Sequence, residues 1–146
     1  MKKLELFQLT SPRRRRKLHI SEVRFRFMEL NSTTERDDMS YVTAHVLDAT
    51  AGIPAPGVSI TLLTGEGDVV ASATTNDDGR VPELGPDLLD AGDYRIEFGT
   101  GAYFASRGQA TFYPRVVIDF TVVAGQAHYH VPLLLSPFAY STYRGS

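Results

Sequence analysis

At 146 residues the chain suits one domain, and its 42% hydrophobic and 22% charged content is that of a globular protein, not a disordered one. No apolar run approaches the length of a transmembrane helix, and the absence of cysteine excludes disulfides and thiolate metal sites. A formal net charge of -2 offers no general footing for nucleic acid.

That average conceals two segments. Residues 1–38 carry ten Lys/Arg against six Asp/Glu, whereas residues 39–146 carry five Arg, no Lys and eleven Asp/Glu. All lysines lie at or before Lys17, so a boundary is placed near Asp38. The first segment contains Arg13-Arg14-Arg15-Arg16-Lys17, a self-repelling block of the kind that resists folding. No apolar core follows it, as a secretory signal would need. Its acidic residues argue against an organelle transit peptide, and nothing elsewhere in the chain supports a nucleic-acid arm. The reading retained is a poorly ordered basic extension over 1–38, or an upstream start with Met39 as the functional one. Val23 to Leu30 alternates well enough to form an added strand.

From Tyr41 the signals are those of β structure. Tyr41 to Asp48 alternates, with Val42, Ala44 and Val46 on one face and Thr43, His45 and Leu47 on the other. A turn rich in Gly and Pro leads to a strand over Val58–Thr64. Gly65-Glu66-Gly67-Asp68 makes a hairpin into Val69–Thr75, and Asn76-Asp77-Asp78-Gly79-Arg80 is a further tight turn. Tyr94–Phe98 is a strand, Gly101–Ala110 holds the one short helix, and Val116–Val123 and Ala127–Leu135 are strands. Ser136-Pro137 turns the chain into a last strand, Ala139–Tyr143. About seven short strands at regular spacing indicate an all-β, two-sheet sandwich over 39–146.

The stretch from His128 to Leu135 has a divided character. Tyr129, Val131, Leu133 and Leu135 form an apolar face suited to a core; His128, His130, Pro132 and Leu134 form a mixed face that meets something else, a subunit or a ligand. A His-x-His pair on a strand also suits a metal, with His45 as a third ligand, or can be two plain surface histidines. No Gly-x-Ser-x-Gly elbow and no Gly-rich phosphate loop is present. The chemistry this inventory permits is direct attack by water, with an imidazole as base.

Four stretches then act together: Thr43-Ala44-His45-Val46-Leu47-Asp48, Thr75-Asn76-Asp77-Asp78-Gly79-Arg80, His128-Tyr129-His130-Val131-Pro132-Leu133-Leu134 and Tyr143-Arg144-Gly145-Ser146 at the terminus. In order and spacing they resemble the 5-hydroxyisourate hydrolases, the transthyretin-like enzymes of urate catabolism; Ala102-Tyr103-Phe104 and Phe112-Tyr113-Pro114 strengthen the likeness. It spans 39–146 and leaves 1–38 uncovered. The resemblance implies a transthyretin-like sandwich and a homotetramer built as a dimer of dimers, with active sites in the channel between them. It implies hydrolysis of 5-hydroxyisourate to 2-oxo-4-hydroxy-4-carboxy-5-ureidoimidazoline by opening of a cyclic amide, without cofactor or metal. Its catalytic set maps onto His45, Arg80 and His130; Tyr143, Arg144, Gly145 and Ser146 line the substrate pocket, and His128 stands behind them. Neither nucleic acid nor membrane is expected as a partner. The cytoplasm is the expected compartment, since Arg144-Gly145-Ser146 is not a peroxisomal address of the Ser-Lys-Leu kind. The alternatives are a carrier that holds a small ligand in the same channel without chemistry, or an assembly module.

Overall fold

The computed structural model describes residues 40–146. The basic block and the strand expected over Val23–Leu30 lie outside them. Nine strands and one helix follow in order: β1 Val42–Asp48, β2 Ile53–Pro54, β3 Ser59–Thr64, β4 Val69–Thr74, β5 Arg80–Val81, β6 Gly92–Phe98, α1 Thr100–Ala105, β7 Val116–Val122, β8 Tyr129–Leu135 and β9 Tyr140–Thr142. They form two sheets. One runs β2-β1-β8-β9 with β5 also on β1; the other runs β4-β3-β6-β7.

Alternation decides which residues meet between the sheets. Val42, Ala44 and Val46 of β1 and Leu133 and Leu135 of β8 are buried against Ile60 and Leu62 of β3 and Ile96 and Phe98 of β6. Each such Val, Leu, Ile or Phe side chain removed from water contributes about 1.5–3 kcal/mol, so the register of these strands is strongly specified. β1 and β8 pair in parallel, from Val42 opposite Tyr129 to Asp48 opposite Leu135. Their shared outer face therefore carries Thr43, His45, His130 and Pro132.

The helix occupies the first part of the Gly101–Ala110 stretch expected to hold it. It stops at Ala105 because a turn closes it: the amides of Arg107 and Gln109 both donate to the Phe104 carbonyl, and Gly108 takes a φ of 63°. Tyr103 and Phe104 bury its inner face. Tyr103 also donates its hydroxyl to the buried Asp48 carboxylate at 3.0 Å, and that carboxylate accepts the amides of Thr50 and Ala51. The paired pieces β2 and β5, two residues each, carry too little pattern to be read from sequence. Among the described residues no helix is long and apolar enough to cross a membrane.

Candidate active site

The site is laid out by three pairings on the outer face of β1. Thr43 lies opposite His130 and His45 opposite Pro132 in the parallel ladder with β8. On its other side, His45 lies opposite Arg80 in the short antiparallel ladder with β5. Three segments far apart in the chain thus bring two imidazoles and a guanidinium onto one surface.

Arg80 is delivered by the turn before it. Asn76 accepts the amides of Asp78 and Arg80 on its side-chain oxygen, at 3.0 and 2.9 Å. Gly79 then presses its backbone against β1, where its carbonyl accepts the Val46 amide at 2.8 Å. A side chain at Gly79 would strike the Val46 carbonyl, and the φ of +70° is itself a glycine conformation. The chain reaches β1 closely enough to pair only because this residue is glycine. Among the described residues Arg80 joins neither of the two ion pairs, so its five donors remain available to a ligand.

A cleft of about 270 Å³ opens here, lined by Thr43, Arg80, Val81, Pro82, His128, His130 and Ser146. A larger recess of about 330 Å³ adjoins it at His130, lined by Tyr129, Phe120, Tyr143 and Arg144 among others. The first brings together the groups able to do chemistry, because Arg80, His128 and His130 all line it. The terminal tetrapeptide divides between the two spaces. Tyr143 and Arg144 line the larger recess and Ser146 the cleft. Gly145 bridges them, donating its amide to the His130 carbonyl at 3.0 Å. It lies flat on the imidazole: a Cβ added to it would stand 2.5 Å from His130 Cδ2. His45 is not among the residues that line the cleft; it lies beside Arg80 in the β1–β5 ladder, its Nε2 donating to the Asp78 carbonyl at 3.0 Å.

The half-buried imidazoles share one electrostatic tendency. Burial pushes His130 below the ordinary value, and the charge of Arg80, then His128 and His45, pushes it the same way. Burial and then Arg80 depress His45, partly offset by its bond to the Asp78 carbonyl and by the Asp78 charge. Both are thereby kept neutral, the form a general base requires. Thr43 joins His130 of β8 to His128 just before that strand: its hydroxyl lies 2.7 Å from His130 Nδ1 and 3.0 Å from His128 Nε2, and His128 Nδ1 lies 3.2 Å from the Ser40 carbonyl. With His45 turned to Asp78, the three histidines do not converge. Among the described residues no three His, Cys, Asp or Glu side chains form a group able to hold a metal ion.

Sequence reasoning placed Thr43 on the His45 face but assigned it no task. Its importance comes from the parallel β1–β8 ladder, which sets it opposite His130. The walls at Val81 and Pro82 escaped notice because β5 is only two residues long.

The model of the HIUase/Transthyretin family matches residues 42–145. The chain belongs to that family. It is 43% identical over 109 residues to a 5-hydroxyisourate hydrolase of Salmonella typhimurium, an alignment covering 72% of this chain and 80% of that protein. The solved 5-hydroxyisourate hydrolase of Klebsiella pneumoniae superposes with a TM-score of 0.68 at 40% identity, covering 74% of this chain and 94% of the other. A transthyretin from Sparus aurata follows at 0.67 and 32% identity, covering 72% and 96%. Members named as enzyme and as transthyretin thus share this sandwich almost equally well in shape. Fold alone does not separate the activities; the residues on the outer face of β1 and β8 have to.

Proposed function

We propose that this family member hydrolyses 5-hydroxyisourate to 2-oxo-4-hydroxy-4-carboxy-5-ureidoimidazoline. The observation that carries the reading is the meeting of His130, Arg80 and Ser146 in one cleft, with His45 paired across from Arg80 on the neighbouring strand. Its volume suits a small polar ring, and its depressed imidazoles suit deprotonation of water at neutral pH.

The chemistry runs in two steps. A water bound between the imidazoles gives a proton to one of them as its oxygen bonds to the ring carbonyl carbon. The carbonyl becomes an oxyanion, which the Arg80 guanidinium stabilises through its fixed fork of N–H donors. Collapse of this intermediate breaks the C–N bond of the ring amide, and the imidazolium returns the proton to the departing nitrogen. One water is consumed and the histidine is regenerated. Ser146 and Arg80 hold the polar edge of the ring, while Tyr143 and Arg144 shape the neighbouring recess. We further propose that the protein acts in the cytoplasm, as a tetramer of two dimers. Among the described residues β9 and β7 stand at the edges of the two sheets, where a second copy can extend them.

The test is an ultraviolet time course. 5-Hydroxyisourate is generated in the cuvette from urate by urate oxidase, and its decay is followed with and without this protein and its His130→Ala variant. Acceleration that the variant loses supports the hydrolase. Decay at the spontaneous rate from folded protein refutes it and favours a carrier built on the same sandwich.

A further inference from the structure

We infer that Thr43 and His128 are positioning residues, forming a one-way hydrogen-bond relay that fixes the proton of His130 on Nδ1 and leaves Nε2 as the bare, basic nitrogen. This deepens the hydrolase reading and rests on it, since it names the atom that would take the water's proton.

Each link forces the next. The Ser40 carbonyl can only accept, so His128 Nδ1, 3.2 Å away, must donate to it. A neutral imidazole carries one proton, so His128 Nε2 holds a lone pair. The Thr43 hydroxyl, 3.0 Å from that lone pair, donates its proton to it. A hydroxyl has no second proton, so at 2.7 Å from His130 Nδ1 the same oxygen can only accept. His130 must therefore donate from Nδ1, and its Nε2 is unprotonated. The chain begins at a backbone carbonyl, which has no proton to give.

The direction suits the chemistry. When Nε2 takes a proton, Nδ1–H goes on donating to Thr43, and no hydrogen bond has to reverse. The charge-assisted bond then strengthens. The ring is also held from its opposite side, where Gly145 lies against Cδ2 and Cγ. Thr43 is 6% exposed and His128 half-buried, so water competes poorly for these bonds. Protonation of His128 would invert the relay. Its Nε2 would become a donor, the Thr43 proton would turn to His130 Nδ1, and Nε2 of His130 would carry hydrogen. The groups around His130 oppose extra positive charge: Arg80 on β5, His45 on β1 and His128 itself all bear on it, and Arg144 lines the adjoining recess.

The experiment reads the tautomer directly, by long-range nitrogen–proton correlation spectra of the ¹⁵N-histidine-labelled protein, in parallel with steady-state hydrolysis. The wild type is expected to show His130 protonated on Nδ1. Thr43→Val keeps the shape but removes the hydroxyl; it is expected to give a mixture of tautomers and to lower kcat about 10²-fold or more, with KM changed less than about threefold. Thr43→Ser restores the relay and is expected to recover both the tautomer and most of the rate. His128→Phe, which removes the acceptor from the far side of Thr43, is the second disrupting variant should the first fail to fold. A wild-type His130 protonated on Nε2 overturns the relay, as does a disrupted relay with an unchanged tautomer and rate. If the tautomer is as stated but no variant and no wild type hydrolyses 5-hydroxyisourate, the relay stands and the hydrolase reading falls.

Discussion

Substituting Gly145 by Ala tests how the terminal tetrapeptide serves the site. The new Cβ would stand 2.5 Å from His130 Cδ2 and 3.0 Å from Cβ and Cγ. Ordinary carbon–carbon contact begins near ~3.5 Å, so something must retreat by about 1 Å. The ring is poorly placed to do so, because Nδ1 is held to Thr43 at 2.7 Å and Pro132 beyond it is buried. The tail is freer, resting on exposed β9 and the single bond from the Gly145 amide to the His130 carbonyl. Losing that bond costs only about 0.5–1.5 kcal/mol, so the thermal midpoint should fall by a few degrees at most. Catalysis should suffer more. Ser146 leaves the cleft with the tail, and a misplacement of about 1 Å around reacting groups costs on the order of 10²-fold. Initial rates of 5-hydroxyisourate decay at several concentrations, paired with a thermal melt, separate the two effects. A variant within about threefold of wild-type kcat/KM would show that the tail does not organise the site. A large collapse of the melting point would show that Gly145 is needed for folding instead.

Arg80→Lys keeps the charge but loses the planar fork, and kcat/KM should fall at least about tenfold; parity with wild type would mean that charge alone is used. With the ordinary value at 6.5 and both imidazoles held below it, the acid limb of kcat/KM should lie below pH 6.5, and Arg80→Gln should move it upward by removing one cause of the depression. A limb at or above 6.5, or one indifferent to Arg80, contradicts the electrostatic account. Stability should follow the same groups. As pH falls the unfolded chain binds protons at these histidines first, so stability is full above 6.5 and is lost as pH drops from there through the depressed folded values. Urea unfolding at pH 7.5 and 5 should show the loss, and the His45→Gln, His130→Gln double variant should reduce it; an undiminished slope would place the effect elsewhere. Gly79→Ala should destabilise by at least about 1–3 kcal/mol through its positive φ and its clash with β1. Such a variant with a wild-type denaturation midpoint would refute the role given to that turn.

Alternation by itself sorted β1 and β8 into a core face and an outer face. Burying Val42, Ala44, Val46, Leu133 and Leu135 leaves a strand no other way to turn, so the outward placing of His45 and His130 was legible in the order of residues alone. The turn at Asn76–Arg80 and the resemblance spread over four stretches were equally local. The stretch that holds the helix was legible but the helix's end was not, because that end depends on a turn around Gly108 and Gln109 that periodicity does not encode. β5 was invisible, because a two-residue strand exists only by virtue of the partner it finds in β1. Thr43 shows the limit most clearly. Its type and its face were plain in the sequence, but its work depends on lying opposite His130 in a parallel ladder between strands more than eighty residues apart. Local pattern determines which way a side chain points; only the assembled sheet decides what it points at, since the pairing energy that sets register belongs to two segments at once.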